Sequence, residues 1–225
     1  MHDLREINLS FNQITNMGSF RCPSLRSINL FRNKVPFIAG LKNLKRLEYL
    51  NLSGNELENL NGIEFLGEMK YFIANDNSIH TLNHLKNFPN LSDLQVSNNP
   101  ITNIPHDALD ANTKLISLSM EGVQVGSFAF LLKLASLQDL YISENREIKN
   151  LHTFPQLPCL DSLIASNCGF ESLAQLGEKF PNLTVLCVSS CRILPIATLD
   201  ELHKLHFIAE LDIRDNPIAV HKDLR

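Results

Sequence analysis

Histidine and cysteine are the side chains in this sequence best suited to chemistry. His80 and His84 stand four residues apart, and His203 and His206 three. On a helix, each pair would share one face, as a metal site requires. Neither pair has a third ligand nearby in sequence, so both are read as polar surface residues and no metal is expected. The five cysteines, Cys22, Cys159, Cys168, Cys187 and Cys191, are odd in number and lack Cys-x-x-Cys spacing. They suit a reducing compartment and a packing role better than a disulfide framework or a metal site. The chain carries no glycine-rich phosphate loop, no G-x-S-x-G nucleophile and no nucleotide fingerprint. Its carboxylates show no catalytic pair. The expectation is a non-enzymatic protein without a cofactor.

Composition points the same way. The 225 residues are 44% hydrophobic and 20% charged, with a formal net charge of −4. Lys and Arg are scattered, so there is no positive field for a phosphate backbone and nucleic acid is not expected as a ligand. No long apolar run implies a membrane partner. The opening MHDLREINLSFNQ lacks the basic and apolar blocks of a signal peptide, which favours an intracellular, cytoplasmic location, cytoskeletal or ciliary included. Four N-x-S/T sequons begin at Asn8, Asn51, Asn90 and Asn182. Three overlap a repeated N-L-S/T wording, and all are read as unused.

That wording belongs to an internal repeat, L-x-x-L-x-L-x-x-N-x-I. Ten copies start at residues 4, 25, 47, 69, 91, 115, 137, 160, 183 and 208, from LREINLSFNQI to IAELDIRDNPI. The first, fourth and sixth positions are apolar in every copy. Positions three to five are expected to form a short strand, with position four inward and positions three and five outward. One strand per turn, stacked at roughly 4.8 Å, predicts a parallel sheet on the order of 45 Å along the stack.

Position nine holds Asn12, Asn33, Asn55, Asn77, Asn99, Asn145 and Asn216. A buried amide there is expected to satisfy backbone groups of adjacent turns. Val123, Cys168 and Cys191 depart from this pattern, and Arg146-Glu147 adds a residue before Ile148. Val123 cannot replace an amide, so Gly122 to Ser127 is an expected weak point. After each bend, rows such as Val35, Ile38, Leu41, Leu44 and Ile79, Leu82, Leu85, Phe88 predict tight helical or extended turns on a convex side. Thr198-Leu-Asp-Glu201 reads as a capping box opening a true α-helix before Leu202 and Leu205.

This 22-residue pattern, L-x-x-L-x-L-x-x-N-x-I-x-x-I-x-x-L, resembles the leucine-rich repeats typified by the protein phosphatase 1 regulatory subunit family, over essentially the whole chain. The resemblance implies an open α/β solenoid with a concave parallel sheet, used as a protein-binding scaffold of the kind also found in ciliary and splicing adaptors. DNPIAVHKDLR resembles the start of that family's C-terminal cap, with Leu224 where the family commonly has an aromatic residue. Because the first copy starts at Leu4 without a capping element, the 1–225 repeat domain is expected to be part of a longer chain.

The outward positions form the candidate binding site. All three tyrosines, Tyr49, Tyr71 and Tyr141, fall on them, and tyrosine combines apolar area with a hydroxyl at low entropic cost. Tyr49, Tyr71 and Ile73, with Phe31 at position seven, form one apolar group. Tyr141, Ile164 and Val185 form another. Asp93, Glu121, Asp139 and Glu144 lie between them and suggest basic residues on a protein or peptide partner. The main contact is expected on Tyr49, Tyr71 and Ile73.

Overall fold

The computed structural model describes residues 3–194 and 198–220. Its ten strands are β1 (Glu6–Asn8), β2 (Ser27–Asn29), β3 (Tyr49–Asn51), β4 (Tyr71–Ile73), β5 (Asp93–Gln95), β6 (Ser117–Ser119), β7 (Asp139–Tyr141), β8 (Ser162–Ile164), β9 (Val185–Cys187) and β10 (Glu210–Asp212). Each spans positions three to five of its copy, as the repeat predicts. They form one parallel sheet in chain order, β1 to β10, with matching positions paired. The alternation of a strand sends the middle residue of each inward. From β2 to β9 that residue is buried, as are positions one and six of those copies. On the outermost strand, β10, Leu211 is 44% exposed.

The ladder continues beyond each strand. The backbone N–H groups at positions six and eight donate to the next turn, as Leu52 does to Ile73 and Gly54 to Asn75. This geometry requires a left-handed backbone at position eight in every copy: Phe11, Arg32, Gly54, Asp76, Asn98, Gly122, Glu144, Asn167, Ser190 and Asp215 all have φ between 52° and 66°. Gly, Asn and Asp tolerate that region, whereas the other four are strained there.

The asparagine ladder forms as expected along the middle of the stack. Asn99 Nδ2 donates to the carbonyls of Ala74, Val96 and Ser97, and its Oδ1 accepts from Ile79 N. Asn33, Asn77, Asn99, Asn145 and Asn216 are buried, and Asn55 is half-buried. Asn12 departs from the expectation. It lies exposed on the first turn, and among the described residues its amide bonds Leu9 and Ser10 of its own turn.

The irregular turns repair the ladder locally. Opposite Val123, Ile101 N donates to Asn99 O at 2.8 Å, and Asn145 Oδ1 is buried without a partner among the described residues. The thiols of Cys168 and Cys191 donate to Ile142 O at 3.2 Å and Ala165 O at 3.5 Å. The extra residue at Arg146-Glu147 pushes its backbone toward the next turn, where a Cβ on Gly169 would lie 2.2 Å from Arg146 O. Only glycine fits that approach. The longer connection before β6 is tied by Asn112, whose buried amide donates to Leu85 O and Phe88 O.

The convex rows Val35, Ile38, Leu41, Leu44 and Ile79, Leu82, Leu85, Phe88 all face the core. Their backbone is mostly turns, with short 3-10 segments at Leu85–Asn87, Ala129–Leu131 and Pro217–Val220 and short helices α1 (Leu176–Lys179) and α2 (Thr198–His203). Toward the C-terminal half, Phe128 stacks on Phe154 with centroids 4.7 Å apart, and Phe154 meets Phe180 of the next turn edge-on at 6.0 Å. The helix expected after Thr198 is α2, and Leu205 behind it is buried. The Thr198 side chain of the capping box and the cap resemblance at 221–225 lie outside the described residues. His80 and His84 do not share a helix: His84 precedes a 3-10 turn with φ 81° and bonds Asn61 Oδ1 at 3.0 Å. His203 ends α2, and His206 lies beyond it.

Candidate protein-binding face

The outward columns run side by side up the sheet, so residues a turn apart in sequence become neighbours. Tyr49 pairs with Tyr71 and Asn51 with Ile73. The two phenol rings lie 6.4 Å apart between centroids at 44°, and Tyr71 is 46% exposed. Ile73 stands two positions beyond Tyr71 on the same outward face of β4. Phe31, at position seven of the second copy, lies against the first turn. Its ring contact is edge-on with Phe11, at 5.2 Å, and the Arg32 guanidinium sits 5.4 Å from its centroid. Sequence reasoning missed Phe11, which is 66% exposed. The available signal was a bulky aromatic at the left-handed position eight, where small residues are favoured.

Across the middle of the face the structure brings Asp93, Glu121, Asp139 and Tyr141 together. Asp93, Glu121 and Tyr141, with Gln95, Ser117 and Ser119, line a hollow of about 340 Å³, and Asp139 stands beside it, paired with Ser117. Its floor is low because β6 presents only serines. Burial pushes the Asp93 carboxyl above its ordinary range, against the opposing hydrogen bond from Gln95, and the charge of Asp139 adds to the rise. Burial also raises Asp139, with the charge of Asp161 contributing. The Tyr141 phenol is raised by burial and then by Asp139, Asp93 and Glu121. Glu144 is exposed at position eight.

Ile164 and Val185 border a second hollow, of about 360 Å³, with Cys187, Leu211 and Asp212. Tyr141 and Ile164 are paired neighbours, whereas Val185 pairs with Ser162 in the other column. Arg214 donates to both Asp212 carboxylate oxygens at 2.8 Å and holds that acid well below the usual carboxylate range. The cysteines of the bends offer no nucleophile. Burial pushes Cys168 up to about 12 and raises Cys191, so both thiols stay protonated at neutral pH. Among the described residues, no group of three or more His, Cys, Asp or Glu is placed to hold a metal ion. No described helix is long and apolar enough to cross a membrane.

Leucine-rich-repeat family models match residues 1–18 and 46–69. Solved structures of the same form include a leucine-rich-repeat protein from Leptospira interrogans, at 19% identity and a TM-score of 0.74 over 96% of this chain and 62% of that one. An internalin from Listeria monocytogenes matches at 20% identity and a TM-score of 0.61, covering 86% of this chain and 62% of its own. YopM from Yersinia enterocolitica matches at 24% identity and a TM-score of 0.75, covering 93% of this chain and 41% of its own. The chain thus spans less than two thirds of the length of each. The ten-strand parallel ladder, the asparagine bends and these likenesses agree: the chain is built as a leucine-rich-repeat solenoid.

Proposed function

We propose that this solenoid is a non-enzymatic scaffold that holds a protein or peptide on its concave face, within the cytoplasm. The observation that carries the reading is the Tyr49–Tyr71 pair, which with Ile73 presents an apolar shelf on the open face of the sheet. Exposed aromatic area of this kind costs solubility and is characteristic of interface anchors. Phosphatase regulation, an alternative raised by the resemblance to the phosphatase regulatory subunit family, is one form such binding would take.

The test compares Tyr49→Ala/Tyr71→Ala with Leu132→Ala, since Leu132 is an exposed residue on the convex side. Both variants should keep the parent melting temperature, because exposed side chains contribute little to folding. The tyrosine variant should lose about 2 kcal/mol or more of binding to whatever protein the parent retains, and the leucine variant should bind fully. Full retention by the tyrosine variant would move the contact to the convex side or the ends, and would favour an architectural role.

A further inference from the structure

The concave face is not uniform along its axis, and its order of surfaces specifies a ligand. The apolar shelf on β3 and β4 is followed by the acidic hollow over β6, and then by the apolar pair Tyr141 and Ile164 with Val185 beyond. The hollow presents acceptors. The Gln95 amide N–H groups are directed to Asp93 Oδ1 at 3.1 Å, and its carbonyl accepts from Asn75 Nδ2 at 3.2 Å. The Ser119 hydroxyl is engaged with Ser97 Oγ at 2.7 Å.

Among the described residues, no cation pairs with the carboxylates of Asp93, Glu121 and Asp139. Ion pairs among the described residues join Arg26 and Lys70 to Glu48, His84 to Glu64, Lys204 to Glu201 and Arg214 to Asp212. None reaches the hollow. Three like charges around a half-buried phenol oppose folding, and a cationic side chain seated among them removes the repulsion. A guanidinium fits best, since its planar set of donors meets several carboxylates at once and its face stacks on an aromatic ring such as Tyr141.

Strand spacing then sets the register. From β4 to β6, and again from β6 to β8, is two strand intervals, or roughly 10 Å. Three residues of polyproline II helix span about 9 Å and return to the same face of the chain. We infer that the face takes an extended segment of a partner protein lying along the solenoid axis, patterned apolar-x-x-basic-x-x-apolar. Its arginine or lysine sits in the hollow over Ser117 and Ser119, one apolar residue packs on Tyr71 and Ile73, and the other packs on Ile164. This inference rests on the concave face being the binding surface.

The experiment pans a random-peptide display library against the whole 225-residue chain. The enriched sequences are then measured by fluorescence anisotropy against the parent, Asp93→Asn/Asp139→Asn and Tyr49→Ala/Tyr71→Ala. Thermal melts confirm that each variant is folded. Enriched peptides should share one Arg or Lys with apolar residues three positions to either side. Their affinity should fall about tenfold or more with the asparagine variant, and with replacement of the basic residue by glutamine. It should also weaken as salt is raised. Peptides that are apolar only, and are lost with the tyrosine variant alone, would overturn the basic register while leaving the concave reading intact. Enriched peptides indifferent to both variants, or no enrichment over a blank surface, would overturn both.

Discussion

Asn77 reaches across one turn of the solenoid to donate its amide to Leu52 O at 2.9 Å. The same nitrogen bonds Ala74 O and Asn75 O, while Oδ1 accepts from Leu57 N. One side chain thus pairs four backbone groups in two turns. Asn77→Ala should therefore lower unfolding stability by about 2–4 kcal/mol, since the buried groups are left unpaired. Urea denaturation measures this, and a loss well under about 1 kcal/mol would mean that water replaces the amide without cost.

Where the amide is missing, at Val123, the turn is expected to open more readily. The amides from Gly122 to Ser127 should exchange with solvent faster than those following Asn77, despite the burial of Val123 and Val125. Val123→Asn should slow that exchange and raise stability by about 1 kcal/mol. Equal protection of the two bends in the parent would show that the Ile101–Asn99 bond restores the ladder fully.

Ser190 occupies the left-handed position eight with φ 55°, and its N–H donates to Arg214 O. Glycine adopts this conformation without Cβ strain, so Ser190→Gly should stabilise the fold by up to about 1 kcal/mol. The reverse change should cost more. At Gly122, φ 63°, a Cβ would meet Asn98 Oδ1 at 2.6 Å, so Gly122→Ala should lower the melting temperature.

The raised Asp93 carboxyl gives a pH signature. It holds its proton more readily in the folded chain than in the unfolded one, so its effect on stability worsens as pH rises from the unfolded carboxylate range through the folded value. Asp93→Asn removes that liability. The variant should melt above the parent at neutral pH, with the difference fading at about pH 3, where both forms are neutral. A difference that is constant across this range would assign the effect to the Gln95 contact instead.

Thiol reactivity should track burial. Cys159 is exposed and Cys187 half-buried, whereas Cys22, Cys168 and Cys191 are buried. With a thiol-specific chromogenic reagent, Cys159 should react first and Cys187 more slowly. The remaining three should appear only on unfolding, since in the folded chain Cys168 and Cys191 are both buried and held protonated. Prompt reaction of Cys168 in the native protein would contradict its packing role.

The order of residues along the chain was enough to locate the repeat, the strands at positions three to five, the inward fourth residue and the outward tyrosine columns. The physical reason is that each of these depends on local alternation repeated ten times, so that β-strand geometry alone assigns every side. Contacts between turns set the rest, and they exist only in the folded stack. They turned Phe31 toward Phe11, left Asn12 exposed on the first turn, and matched the extra residue at Arg146-Glu147 with Gly169 in the next turn. They also gathered Asp93, Glu121 and Tyr141, as many as 48 residues apart along the chain, around the serines of β6, with Asp139 paired beside Ser117. A linear pattern records which side chains face outward, but the depth of a hollow depends on the sizes of neighbours on adjacent strands, and stacking alone brings those together.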